Sequence, residues 1–186
     1  MAGDRKQQIL DTAAELFAER GFHGVSVHDI GAACGISGPA LYKHFTGKDQ
    51  ILARSLTQIS TQLLETGQQR AAAAGGPREA IDALISWHID FALDYPAFIV
   101  VQEREWRNLD AAGRSEVRRL QLAYIDVWVE TVRALQPELE RADARAAVQA
   151  TFGLLNSTPH SARIGKARMS ELLHALALGA LAIGPK

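Results

Sequence analysis

The most constraining feature of this chain is a pair of short capped helices joined by a two-residue turn. Ser26 can cap the first helix, and Asp29 three residues later can complete a capping box. Gly35 is placed to end that helix, and Ser37 can cap the next one, whose first turn holds Pro39. Because so short a turn forces a steep crossing, the segment predicts a helix-turn-helix.

An amphipathic helix from about residue 4 to residue 20 precedes this pair. Gly21 is placed to end it. Its apolar side chains recur at the spacing of one helix face: Ile9, Ala13, Leu16 and Phe17. The three helices together predict a small N-terminal domain.

The outward face of the third helix suits the major groove of DNA. At about 100° per residue, Leu41 and Phe45 point into the core and leave small and polar side chains outside. Between Ile30 and Lys48 there is no Asp or Glu, so the local field favours an anion although the formal net charge of the chain is -1. The alternative is a solvated face on an ordinary helical domain, which would not require the caps, the turn and the acid-free segment to coincide.

The N-terminal segments resemble the DNA-binding signature of TetR-type one-component repressors. The resemblance implies an all-α protein of about nine helices, with a three-helix DNA-binding domain at 1–48 and a larger effector-binding and dimerisation domain at 49–186. Its partner would be a double-stranded DNA operator. The segments that carry the resemblance are Phe17–Phe22, Val27–Ser37, Leu41–Phe45 and Lys48–Leu52.

The same resemblance assigns DNA contacts residue by residue, with phosphates as the main partners of Tyr42 and Lys48. The positions that match are Ser37, Pro39, Tyr42, His44 and Lys48, and the outward helix face adds Ala40 and Lys43.

The rest of the chain has helical periodicity without strand-like alternation. Pro77, Pro96 and Pro137 mark breaks between helices. The spacing predicts further helices at about 52–63, 78–94, 97–107, 110–135, 143–155 and 170–183.

The last two of these helices predict a homodimer. Residues 143–155 are apolar on two sides, and residues 170–183 are apolar nearly all round. A helix of this length is too short to cross a ~30 Å hydrocarbon core, so no membrane contact is expected. A second copy of the chain would cover both helices, and it would place two reading helices about one DNA turn apart, ~34–36 Å. The alternative is a single buried helix in a monomer.

Aromatic side chains in the middle of the chain predict a cavity for a small apolar effector. His88, Tyr124 and Asn156 would be its polar anchors. The alternative is that these rings only fill the core. The candidate effector-binding residues are Trp87, His88, Phe91, Phe98, Tyr124, Trp128, Phe152 and Asn156.

The middle of the chain also resembles, more loosely, the effector domain of TetR-type regulators of fatty-acid and sterol catabolism. These regulators respond to acyl-coenzyme A thioesters, so the resemblance implies an effector of that kind. Ser157 stands where those relatives commonly carry an aromatic residue, which leaves a hydrophobic or aromatic drug-like molecule as the alternative. Arg163, Lys166 and Arg168 would meet an anionic head group or form a solvated basic loop.

Other classes of function find little support in the sequence. Glu103 and Glu105 are two residues apart on a helix and cannot converge, and no Ser-His pair has an orienting acid, so an enzyme is not expected. The six His residues lack metal-ligand spacing, so neither a metal nor a cofactor is expected. The single cysteine, Cys34, is expected to be a buried hydrophobe or, alternatively, a redox sensor. Because one cysteine cannot form an intrachain disulfide, the expected location is the reducing cytoplasm. A ligand-free architectural DNA-binding protein remains the third class.

Overall fold

The computed structural model of the protein describes residues 2–182, with side chains from Arg5 onward. These residues form ten α-helical segments and one 3-10 turn at Trp106–Asn108, and no strand lies among them. The all-α class is therefore confirmed. The helices are α1 (Ala2–Arg20), α2 (Val27–Ala33), α3 (Gly38–Tyr42), α4 (Lys48–Ala73), α5 (Pro77–Asp94), α6 (Pro96–Glu105), α7 (Ala111–Leu135), α8 (Arg141–Leu155), α9 (Thr158–Ser161) and α10 (Lys166–Ala180).

The helix boundaries differ from the sequence expectations most clearly at α10, α9 and α4. The helix α10 begins at Lys166, four residues before the predicted start at Ser170, and the predicted end at Ile183 lies outside the described residues. The short α9 was not predicted; Pro159 lies in its first turn, where a missing N–H costs little. The helix α4 continues beyond its predicted stripe to Ala73, because it contains no proline and its single glycine, Gly67, is tolerated within the helix.

The first of two compact units contains the chain up to Ser60 together with Ala97–Arg118. Its core brings α1 to α4 together with α6 and the first turns of α7, around Phe17 and Leu41. Glu105 joins α6 to the turn after α1, because its Oε1 accepts a hydrogen bond of 3.1 Å from the backbone N–H of Phe22. Its Oε2 accepts a second one, of 2.7 Å, from the side-chain amide of Asn108.

The second compact unit contains Thr61–Pro96 and the chain from Arg119 onward. Its core is built by α5, α7, α8 and α10 around the fully buried side chain of Trp128. These packing units are not the same segments as the predicted domains 1–48 and 49–186. The functional boundary between those domains stays a prediction.

No single helix in the described range is long and apolar enough to cross a bilayer. The pair Pro77–Asp94 and Pro96–Asn108, bent by 82°, meets the same criterion only when its two members are taken together.

Candidate DNA interface and effector cluster

The helix-turn-helix forms through the caps that the sequence predicts. The hydroxyl of Ser26 accepts a hydrogen bond of 3.1 Å from the N–H of Asp29, and the N–H of Ser26 donates one of 2.8 Å to the Asp29 carboxylate. This side-chain hydrogen bonding with Ser26 lowers the pKa of Asp29. The hydroxyl of Ser37 accepts a longer hydrogen bond of 3.4 Å from the N–H of Ala40. Both helix starts are thereby fixed by local chemistry.

The turn between α2 and α3 depends on two glycines. Gly35 has a φ of +67°, a left-handed conformation that residues with a side chain rarely adopt. Gly31 lies against the turn, and a Cβ at this position would be 3.0 Å from the carbonyl oxygen of Ile36. The two helices approach this closely because Gly31 has no side chain.

The outward face of α3 presents the side chains that were predicted to meet DNA. Tyr42 is 57% exposed, and Ser37, Pro39 and Lys43 are also exposed. Ala40 and His44 are half-buried on the flanks. The inner face carries Leu41 and Phe45, which are buried as predicted. The helix itself is short, and a hydrogen bond of 3.1 Å from the N–H of Phe45 to the carbonyl of Leu41 extends its last turn.

Lys48 has a structural position that its sequence assignment did not include. Its ammonium group donates hydrogen bonds of 2.9 Å to the carbonyl of Phe22 and 3.2 Å to that of Val25. The same nitrogen lies 4.3 Å from the centre of the Phe22 ring. At most one of its three donors is left for a phosphate. The predicted DNA contact of Lys48 is untested, and its tie to the loop before α2 is the contact that the structure describes.

A groove of about 650 Å³ opens beside α3. Its lining includes Tyr42 and Lys48, the loop before α2 and the first turn of α2. The other lining residues are His23, Gly24, Val25, Ser26, Val27, His28, Asp29, Gly47 and Asp49. The groove is polar, and the N-terminal end of α2 lies within it. Backbone N–H groups at such an end are suited to a phosphate.

A cluster of stacked rings forms the centre of the second unit. The imidazole of His88 on α5 stacks on Phe152 of α8, with ring centres 4.5 Å apart, and on Tyr124 of α7 at 5.8 Å. Trp128 meets the edge of the same imidazole at 5.9 Å. Phe91 closes another side at 5.7 Å. We call these five residues the ring cluster.

His88 is held in the ring cluster by one hydrogen bond. Its Nε2 lies 3.0 Å from Oδ1 of Asn156, the residue that caps the end of α8. Because an amide oxygen can only accept, Nε2 carries the proton and Nδ1 is a bare acceptor. Burial lowers the pKa of His88 to about 4, an effect that the Asn156 hydrogen bond opposes. The imidazole is therefore neutral at pH 7.

Six of the eight candidate effector residues lie together in this region: the five of the ring cluster and Asn156. Trp87 points elsewhere, and its indole N–H donates a hydrogen bond of 3.2 Å to the carbonyl of Leu63 on α4. Phe98 is buried in the first compact unit, whereas the ring cluster belongs to the second.

Sequence reasoning did not single out Gln121 or Thr158, and it considered Glu105 only as half of a carboxylate pair. Thr158 donates a buried hydrogen bond of 2.7 Å to the carbonyl of Ala92. Gln121 lies on the same stripe of α7 as Tyr124 and Trp128, at i, i+3 and i+7. That stripe could have revealed Gln121, but no local pattern indicates the distant partners of Glu105 or Thr158.

The three candidate cations lie between α9 and α10 and in the first turn of α10, and one of them is already paired. Lys166 donates to the carboxylate of Asp94, and this hydrogen bond raises the pKa of Lys166. Arg163 and Arg168 are exposed. An anionic head group would therefore meet the two arginines first.

An apolar strip lies on the outer face of α10. Leu172 and Leu176 are 46% and 45% exposed, and they are one helical turn apart. The exposed small residues Ala175, Gly179 and Ala180 continue the strip. Apolar side chains on this face remain uncovered within the single chain, whereas Leu173 and Ala177 on the inner face are buried.

No group of three or more His, Cys, Asp or Glu side chains in the described part of the chain could hold a metal ion.

A chain that carries both an exposed helix-turn-helix and a helical unit with an aromatic centre is typical of DNA-binding transcriptional regulators. Residues 9–54 match the family profile of bacterial regulatory proteins of the tetR family. Residues 74–160 match the profile of the tetracyclin repressor-like C-terminal domain. The chain belongs to the TetR family.

Its relatives are transcriptional regulators. The repressor KstR2 of Rhodococcus jostii (strain RHA1) is 27% identical over 131 residues, which cover 70% of this chain and 64% of KstR2, just under two thirds of its length. The fatty acid metabolism regulator protein of Bacillus subtilis (strain 168) is 25% identical over 154 residues, 81% of this chain and 79% of that protein. The crystal structure of AibR in complex with isovaleryl coenzyme A and operator DNA has the same fold, with a TM-score of 0.73 and 22% identity over 92% of this chain and 97% of AibR.

Proposed function

We propose that the protein is a transcriptional repressor that binds a palindromic operator as a homodimer and leaves it when a small apolar effector enters the ring cluster. The observation that carries the proposal is the combination, in one chain, of an exposed reading helix and a buried aromatic centre with polar groups. The cytoplasmic location expected from the sequence belongs to this proposal.

The DNA contact rests on the outward face of α3. Tyr42 and Lys43 can reach base edges or phosphates, and Pro39 and Ala40 are small enough to let the helix approach the groove. Ser37 and His44 flank this surface. The phosphate backbone would pass beside this surface, next to the polar groove that Tyr42 and Lys48 help to line.

The effector site rests on the ring cluster. An acyl-coenzyme A thioester is the specific effector that we propose. Of the relatives named above, one is a fatty acid metabolism regulator and one is the repressor KstR2, and the structural neighbour AibR binds isovaleryl coenzyme A. The acyl chain would lie among the rings, and Arg163 and Arg168 would meet the anionic head group.

The homodimer rests on the exposed apolar strip of α10. Burying an apolar side chain stabilises association by about 25 cal/mol per Å² removed from water, so two copies of the strip packed against each other favour a dimer. Together with α8, the strip would form a four-helix interface, and the small residues would permit close packing.

Release from DNA would follow from a population shift. The effector can move the equilibrium only by its different affinity for the DNA-binding and the released arrangement of the dimer. The helix α4 is the structural candidate for transmission, because it is continuous from Lys48 to Ala73. Its Gly67 lies against Tyr124, where a Cβ would be 2.6 Å from Cε2 of the tyrosine ring.

The test is a binding titration with DNA selected by the protein from a random pool. Lys43→Ala and Tyr42→Ala should weaken binding, and Arg54→Ala, an exposed cation on α4, is the matched control. A panel of acyl-coenzyme A thioesters and uncharged aromatic compounds is then added to the complex. Release by one group of ligands, with a rise in melting temperature of the free protein, supports the proposal. DNA binding that does not depend on α3 would contradict it.

An architectural DNA-binding protein is the second candidate, since the rings of the cluster pack closely and could form an ordinary core. It predicts no thermal shift with any ligand of the panel.

A further inference from the structure

Four buried polar atoms near the middle of the second unit lack a hydrogen-bond partner within the protein. They are Nδ1 of His88, Nε2 of Gln121, the hydroxyl oxygen of Tyr124 and Nε1 of Trp128. Three of them belong to the ring cluster. A buried polar atom without a partner destabilises a fold by as much as a lost hydrogen bond, and native proteins contain few of them. A group of such atoms therefore indicates a bound partner.

Two of these atoms belong to neighbouring rings of the ring cluster. Tyr124 and Trp128 lie one turn apart on α7, and their rings meet edge to face with centres 6.1 Å apart. Burial raises the pKa of Tyr124. The two rings are in contact, yet the hydroxyl and the indole N–H do not form a hydrogen bond with each other. Gln121 extends the same stripe by one more turn.

The chemistry of these groups selects the ligand atom. The indole N–H of Trp128 can only donate, and the phenol of Tyr124 can donate as well. One oxygen with two lone pairs can accept from both, and a carbonyl oxygen has this geometry. The bare Nδ1 of His88 on the neighbouring ring can accept a hydrogen bond from a donor on the ligand.

The surroundings favour an uncharged ligand group. His88 is neutral, so it supplies no cation to the ring cluster. The charge of Arg70 acts on Tyr124, but Arg70 is exposed and stacks on Trp87 outside the ring cluster, with its guanidinium carbon 5.0 Å from the centre of the Trp87 ring. A carboxylate among these rings would lose its hydration without gaining a cation inside the ring cluster, which costs far more than the burial of a hydrogen-bonded ketone, ester or thioester carbonyl.

We propose that the effector carries an uncharged carbonyl group and that the Tyr124 hydroxyl and the Trp128 indole N–H donate hydrogen bonds to its oxygen. This inference rests on the proposed effector site in the ring cluster. It assigns the recognition of the carbonyl to two side chains of α7, and it leaves the apolar remainder of the ligand to Phe91 and Phe152.

The test compares matched ligands on the full-length protein. S-ethyl thioesters with hexanoyl, decanoyl and tetradecanoyl chains are paired with thioethers in which a methylene group replaces the carbonyl, and with the free carboxylates. Binding is followed by thermal shift and by tryptophan fluorescence. The thioesters should bind at least about tenfold more tightly than the thioethers, the factor that corresponds to one hydrogen bond.

Two variants assign the preference to its residues. Tyr124→Phe should reduce the ratio of thioester to thioether affinity to less than half. The melting temperature of the ligand-free protein should stay unchanged or rise, because an unpartnered hydroxyl is removed. A merely structural tyrosine would not alter the ratio of the two affinities. Trp128→Phe should also reduce the ratio. The matched controls are Tyr95→Phe, outside the ring cluster, and Trp87→Phe, whose N–H is already bonded to Leu63; both should keep the ratio.

The possible results separate this inference from the proposed function. Equal affinity for thioesters and thioethers, or tightest binding of the carboxylates, overturns the carbonyl assignment and leaves the effector site standing. An unchanged ratio in Tyr124→Phe and Trp128→Phe also overturns it. Absence of binding for all three series overturns the placement of an apolar effector in the ring cluster, and the inference with it.

Discussion

Replacing Glu105 with alanine should unfold the first compact unit more easily, although Glu105 lies far in sequence from the helix-turn-helix. The variant removes the acceptor of the Phe22 N–H, a buried hydrogen bond of 3.1 Å across 83 residues of chain. A hydrogen bond to a charged group contributes about 1.5–3 kcal/mol, and a buried N–H left without a partner costs about 1–3 kcal/mol. Loss of the desolvation cost of the carboxylate offsets part of this. We therefore expect a net loss of about 2 kcal/mol.

Glu103→Ala is the matched control, because Glu103 is exposed on the same helix. For a chain of this size, about 2 kcal/mol corresponds to a fall in melting temperature of about 4–8 °C, against less than about 2 °C for the control. Hydrogen exchange at the Phe22 amide gives the local readout and should accelerate only in Glu105→Ala. Glu105→Gln keeps an acceptor oxygen and should recover most of the loss. Equal melting temperatures and equal exchange for the Glu105 and Glu103 variants would refute the reasoning.

Four further predictions follow from the described contacts. Lys43→Ala should lower the slope of log affinity against log salt by about one unit, measured by anisotropy, whereas Arg54→Ala should not. Lys48→Met should reduce the free energy of unfolding, measured in urea, by about 1–3 kcal/mol, because the carbonyls of Phe22 and Val25 lose their donor. Unchanged stability would contradict a structural role for Lys48 and leave its predicted DNA contact as its role. The pKa of His88 is about 4 in the folded protein, against an ordinary value of 6.5 for the unfolded chain. The contribution of neutral His88 to stability is therefore complete above pH 6.5 and is lost as the pH falls toward 4. His88→Phe should flatten this pH dependence of the unfolding free energy by up to about 1.4 kcal/mol per pH unit, measured by unfolding at a series of acid pH values. Leu176→Glu should convert a dimer into a monomer in light scattering, and a monomeric wild-type protein would contradict the proposed interface.

Local chemistry made the helix-turn-helix predictable. The capping box of Ser26 and Asp29, the Ser37 cap and the left-handed Gly35 depend on residues no more than a few positions apart, and the structure confirms all three. Helical periodicity likewise predicted that Leu41 and Phe45 are buried.

Contacts between distant segments were not predictable in the same way. Lys48 has the spacing of an exposed phosphate ligand, but the carbonyls that its ammonium meets lie 23 and 26 residues earlier. Trp87 and His88 are neighbours in sequence, yet a rotation of about 100° sends one toward α4 and the other into the ring cluster. The sequence could name the aromatic residues, but only the packing shows which of them share a centre.

Operator binding and effector binding can be measured on the same complex, and this measurement tests the proposed repressor most directly. The protein is titrated onto labelled DNA selected from a random pool, and decanoyl coenzyme A is then added while anisotropy is followed. We expect two chains per palindromic site and release of the DNA by the thioester, with release diminished in Trp128→Phe. DNA binding by a single chain, or a complex unaffected by every acyl thioester and aromatic ligand tested, would contradict the proposal.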